Sequence, residues 1–105
     1  MTPEHRLMDE VRAEASRRGA MAFRMNVGTF YAPDGSRVST GLPEGFPDIM
    51  LIMPGGKVAF IETKVHPRKP TEAQLRAQEA LRRIGCRAGT AYTVEEAMEL
   101  AGLAG

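Results

Sequence analysis

The sequence predicts an α/β fold, a small mixed sheet flanked by helices, and three observations carry that expectation. Helical apolar spacing preceded by a threonine cap begins at three places, after Thr2, Thr71 and Thr93. Between the first two lie short alternating or apolar runs punctuated by Gly- and Pro-rich turns, which read as strands. The succession of strand, helix and strand from Val58 to Tyr92 calls for a parallel pair joined by a right-handed crossover. The expected order is α, β, β, β, α, β, α.

Pro3 to Arg18 reads as the first helix, with Thr2 as N-cap, Pro3 at the first helical position and Gly19 as the stop. At about 100° per residue, Leu7, Met8, Val11 and Ala15 share one side, and Glu4 falls at its centre. A glutamate there completes the first-turn electrostatics, frays into solvent, or serves a site. Ala20 to Val27 reads as a strand, with Phe23, Met25 and Val27 on one face and Arg24 and Asn26 on the other. Gly28 to Thr40 is an excursion or short hairpin turning at Pro33-Asp34-Gly35-Ser36. Gly41 to Pro47 is a loop that delivers the chain to Asp48.

Ile49–Met53 and Val58–Ile61 are two apolar runs joined by Pro54-Gly55-Gly56-Lys57, a hairpin whose second strand runs on into Glu62-Thr63-Lys64. Glu62 and Lys64 share a face and Thr63 points the other way. A two-residue Gly55-Gly56 loop would place Asp48 opposite Thr63. A three-residue Pro54-Gly55-Gly56 loop, or a bulge, would place it opposite Glu62. If the two acids share a metal, the odd-length loop or the bulge is required.

Val65 to Pro70 is a basic loop, and Thr71-Glu72-Ala73-Gln74 is a capping box opening a helix to about Ile84. Its expected inner side holds Ala73, Ala77, Leu81 and Ile84, with Gln74 at the edge, and Gly85 closes it. Arg87 to Tyr92 is the last strand. Thr93-Val94-Glu95-Glu96 is a second capping box, leading a helix through about Ala101.

At 105 residues with 43% hydrophobic content, the chain is expected to build one domain spanning 1–105, with one core. The apolar runs are too short to span a bilayer and the N-terminus lacks a signal-peptide core, so a cytoplasmic setting is expected. The single Cys86 excludes an internal disulfide, makes a Cys-based zinc site untenable, and reads as a small buried residue. A net charge of +1 leaves a nucleic-acid partner open, because the basic residues cluster. His66, Arg68 and Lys69 form one such cluster; each cluster is also compatible with a solvated face. No phosphate loop, nucleophile elbow or zinc helix is present.

Asp48, Glu62 and Lys64 have the composition of a hard-metal phosphodiesterase site: two carboxylates for Mg²⁺ or Mn²⁺, and a lysine to orient or deprotonate water or to stabilise charge on phosphorus. The competing structural reading is a Glu-Lys pair with Asp48 as a turn cap. Pro47-Asp48 followed by Glu62-Thr63-Lys64 resembles the PD-(D/E)XK motif of restriction-endonuclease-like nucleases, and the wider pattern resembles the VRR-NUC (virus-type replication-repair nuclease) branch. The resemblance runs from Glu4 through Arg24-Met25-Asn26-Val27-Gly28, Gly45-Phe46-Pro47-Asp48 and Phe60-Ile61-Glu62-Thr63-Lys64 to Thr71-Glu72-Ala73-Gln74. It reaches the Gly85 turn and Thr93-Val94-Glu95-Glu96, covering nearly the whole chain.

The resemblance implies an αβββαβ core and a metal-dependent DNA endonuclease in replication, recombination or repair, selective for branched DNA such as four-way junctions. It implies metal ligation by Asp48, Glu62 and the Thr63 backbone carbonyl, with Lys64 acting on the water. Glu4 would complete or orient the metal shell, with Glu10 in reserve, and Gln74 would bond the lysine or the scissile phosphate. Arg24 and Asn26 would contact the phosphodiester backbone or bridge strands, and His66, Arg68 and Lys69 would add to the nucleic-acid surface. No organic cofactor is implied. A chain this short resembles the stand-alone phage forms, for which a homodimer is expected because one site cuts one strand. The alternatives are a non-catalytic nucleic-acid-binding module on the same fold, and a nuclease for RNA or linear DNA ends.

Overall fold

Threonine side chains start all three helices in the computed structural model, which describes residues 1–104. Helix α1 spans Pro3–Arg17, and the Thr2 hydroxyl accepts the His5 N–H at 3.1 Å. Helix α2 spans Glu72–Arg83 with both halves of the Thr71/Gln74 capping box formed. Helix α3 spans Val94–Ala101, where the Thr93 hydroxyl accepts the Glu96 N–H at 3.0 Å. The Glu96 carboxylate does not close the expected reciprocal box; it takes the Tyr92 N–H instead, at 2.7 Å, tying α3 to the strand before it.

Strands β1 (Met21–Arg24), β4 (Ile49–Ile52), β5 (Val58–Thr63) and β6 (Arg87–Ala91) form one mixed sheet in the order β1-β4-β5-β6. The first three are antiparallel neighbours; β5 and β6 are parallel, joined through α2 as the crossover requires. The excursion is a separate antiparallel hairpin, β2 (Thr29–Tyr31) with β3 (Arg37–Ser39). β1 is shorter than the expected Ala20–Val27, yet the Met25 N–H still donates to the Asp48 carbonyl at 2.8 Å, so pairing reaches the start of β4.

The β4–β5 register settles the hairpin question. Ile49 lies opposite Ile61 and Ile52 opposite Val58, while the Met53 N–H donates to the Lys57 carbonyl around Pro54-Gly55-Gly56. The odd-length loop therefore exists. Gly55 and Gly56 both take left-handed φ (89° and 81°), which a side chain would strain. Continued by one residue, this register brings Asp48 opposite Glu62.

The core lies on one face of the sheet. Ile49, Leu51, Ala59, Ile61 and Ala91 meet Leu7, Met8, Val11 and Ala15 of α1 and Ala97, Met98 and Ala101 of α3. Each fully buried Ile or Leu contributes ~1.5–3 kcal/mol. On the other face α2 covers only β5 and β6, leaving Met21 and Phe23 exposed on β1. Two expectations for this region are corrected. Ile84, placed on the inner side of α2, is 77% exposed, because the helix ends at Arg83 and Ile84 runs off the sheet edge as its C-cap. Cys86 is half-buried rather than buried, since it lies in the turn between α2 and β6. Among the described residues, no helix is long and apolar enough to cross a membrane.

Candidate active site

Asp48 and Glu62 stand side by side because the hairpin register puts them there, and both line a cavity of about 280 Å³ together with Arg24, Asn26, Phe46 and Gln74. The walls come from six places in the chain: Met8 of α1, the end of β1 and the residues after it, Phe30 of β2, the loop before β4, the end of β5 and the first turn of α2. Gly45 fixes the loop. Its φ is +85°, and a Cβ there would lie 2.4 Å from the Ala73 carbonyl carbon and 2.8 Å from the Gln74 nitrogen. The loop carrying Phe46, Pro47 and Asp48 thus presses against the start of α2. Phe46 packs edge-on to Phe60, ring centroids 5.3 Å apart.

The Asp48 carboxylate accepts the Thr63 N–H at 3.2 Å and the Thr63 hydroxyl at 2.8 Å, serving as acceptor where the β4–β5 ladder ends. The sequence reading turned the Thr63 side chain away from this acid. In the structure the hydroxyl reaches it from a fully buried position at the strand end. Burial pushes the Asp48 carboxyl up to about 6 against the pull of the two Thr63 hydrogen bonds. Burial, then the charge of Asp48, pushes Glu62 up to about 8. Glu62 is only 5% exposed. Two acids so placed are short of positive charge.

Lys64 is 4% exposed, its backbone N–H donating to the Ala91 carbonyl at 3.0 Å. Its charge reaches Asp48 and Glu62 and favours their ionised forms, yet among the described residues no carboxylate lies within ion-pair distance of its Nζ. Gln74 spends its carbonyl oxygen on the Thr71 N–H at 2.9 Å while lining the cavity, leaving its amide NH₂ as the group it can offer a ligand.

Glu4 sits at the edge of this arrangement. Its charge reaches both Asp48 and Glu62, but its carboxylate accepts a 3.2 Å hydrogen bond from Arg68, and among the described residues no three His, Cys, Asp or Glu side chains converge as a ready metal cluster. In this arrangement Arg68 holds the Glu4 carboxylate, and Glu4 does not converge with the two acids. Glu10 is exposed. The donor set fits a hard divalent cation through two facing carboxylates, Asp48 half-buried and Glu62 buried, with any further donor coming from Glu4 by side-chain movement or from backbone or solvent oxygen.

Arg24 and Asn26 line the cavity, and Arg24 shares the Ile49 side of the sheet by register. His66, Arg68 and Lys69 are exposed in the loop after Lys64. Two residues were missed. Gln78 is 3% exposed, donating through Nε2 to the Thr90 hydroxyl at 2.8 Å, and Thr90 lies beside Glu62 in the β5–β6 register. A glutamine one turn after Gln74 on the same helix face was the available signal. Tyr92 stacks on His66, centroids 4.2 Å apart, and its hydroxyl donates to the Arg68 carbonyl at 2.8 Å.

The chain is a small α/β domain whose mixed sheet carries a carboxylate pair and a lysine at one end of its central strands. A solved structure described as "VRR_NUC domain" matches with a TM-score of 0.70 at 23% sequence identity, covering 97% of this chain and 97% of that chain. The fold is that of a VRR-NUC domain. No protein-family model matches the sequence. No curated protein matches it either.

Proposed function

We propose that the chain is a single-domain, metal-dependent endonuclease that hydrolyses phosphodiester bonds in DNA. The observation that carries this is the facing of the half-buried Asp48 and the buried Glu62, short of positive charge, with Lys64 beside them. The VRR-NUC fold supports it. Asp48, Glu62 and the Thr63 carbonyl would hold Mg²⁺ or Mn²⁺, Glu4 completing the shell, and the ion would polarise the phosphate and make water more acidic. Lys64 orients the attacking water and steadies charge gathering on the phosphate oxygens. The water oxygen bonds to phosphorus, one P–O ester bond breaks, and the proton passes to the leaving oxygen. The Gln74 amide NH₂ positions the scissile phosphate, and Arg24 and Asn26 hold the neighbouring backbone.

Branched DNA is the proposed substrate and a homodimer the proposed assembly, which would let two sites cut opposite strands. The exposed Met21 and Phe23, which share one face of the sheet-edge strand β1, support an apolar self-association surface. The test is incubation with labelled four-way junction, flap, linear duplex, single strand and RNA, in Mn²⁺ or EDTA. Preferential cutting of a branched substrate in Mn²⁺ alone is expected; cutting in EDTA contradicts the mechanism, and preference for RNA or linear ends overturns the substrate.

A further inference from the structure

Arg68 is held at three points. Its N–H donates to the Val65 carbonyl at 3.0 Å, its carbonyl accepts the Tyr92 hydroxyl at 2.8 Å, and its guanidinium reaches across 64 residues to the Glu4 carboxylate at 3.2 Å. The Tyr92 ring is itself braced by the His66 stack. These contacts fix the Arg68 backbone beside the strand end that carries Lys64, while the side chain remains 64% exposed. The guanidinium can therefore turn off Glu4 without a change in that backbone.

Glu4 is less exposed than its partner, at 24%, and its charge is felt by both Asp48 and Glu62. Turning Glu4 toward a cation bound by those two acids requires breaking its pair with Arg68. The freed guanidinium then stands on the rim of the same site, with five donors arranged to grip a phosphate bidentately.

We infer that Arg68 is an exchangeable counter-ion: it holds Glu4 in the metal-free protein and passes to a substrate phosphate when Glu4 turns to the metal, so that metal and nucleic acid reinforce each other's binding. The inference rests on the proposed metal site at Asp48 and Glu62. Lys69, also exposed and one residue on, has no carboxylate partner among the described residues and takes no part in the exchange.

The coupling is reciprocal, so it is visible without catalysis. Mn²⁺ affinity, measured calorimetrically without nucleic acid, is expected to tighten about three- to fivefold in Arg68→Gln, the scale set by exposed ion pairs. The same substitution is expected to change nothing in a Glu4→Gln background, and Lys69→Gln to change nothing in either. In EDTA, Glu4→Gln is expected to bind a labelled oligonucleotide about three- to fivefold more tightly than the unaltered chain, with the gain abolished by Arg68→Gln. Equal effects of Arg68→Gln with and without Glu4 would mean general electrostatics and would overturn the exchange. Failure of the underlying metal site shows separately, as Mn²⁺ binding undiminished in the Asp48→Ala, Glu62→Ala double variant.

Discussion

Asp48 faces Glu62 across the hairpin while its carboxylate accepts both the N–H and the hydroxyl of Thr63, at 3.2 and 2.8 Å. One acid is thus anchored and partly compensated, and the other is left with burial and a neighbouring charge. Their environments separate their pKa values, to about 6 and about 8, and set the pH behaviour of the site.

Both shifts are upward, so between the ordinary carboxylate range and pH 8 the metal-free folded chain holds more protons at these acids than the unfolded chain does. Its stability therefore falls as pH rises through that window. The expected loss between pH 5 and pH 8 is on the order of 2 kcal/mol, allowing for screening. Glu62→Gln should flatten the profile and melt higher than the unaltered chain at pH 8, by thermal or urea denaturation. A profile that rises from pH 5 to 8 would refute the assignment.

Thr63→Val keeps the shape and removes the hydroxyl bond to Asp48. A cost of about 1 kcal/mol in stability is expected. Because the Thr63 hydrogen bonds hold the Asp48 carboxyl down against burial, the pH at which half of the Mn²⁺ affinity is reached should move upward, which a calorimetric pH series checks.

Gly45→Ala sets a left-handed φ and a backbone clash with Ala73 and Gln74 against the loop that carries Asp48. A loss of roughly 1–3 kcal/mol is expected from denaturant titration, together with reduced Mn²⁺ affinity.

The two glutamines of α2 are expected to separate. Gln78→Ala, which strands the Thr90 hydroxyl, should cost about 1–3 kcal/mol of stability. Gln74→Ala loses only half a capping box, on the order of 0.5–1 kcal/mol, while lowering the cleavage rate more than Gln78→Ala does.

Much of this was legible in the sequence. Caps, Gly stops and apolar spacing located α1 and its four buried residues, and asking where Asp48 must lie to meet Glu62 narrowed the hairpin to an odd-length loop or a bulge, of which the structure has the loop. What escaped depends on distance in the fold. Whether Ile84 is inside is decided by where α2 stops over the sheet, and Gln78 is buried only because Thr90 of β6 lies beneath it. The Glu4–Arg68 and His66–Tyr92 contacts join segments far apart in sequence, where periodicity carries no information.

The central claim is that Asp48, Glu62 and Lys64 form a metal-dependent phosphodiesterase site, and single-turnover cleavage of a labelled branched DNA in Mn²⁺ by the unaltered chain and by Lys64→Ala tests it most directly. With binding of the DNA matched by anisotropy, the variant should cut at least ~100-fold more slowly. Equal rates for the two proteins, or cleavage that persists in EDTA, would contradict the account.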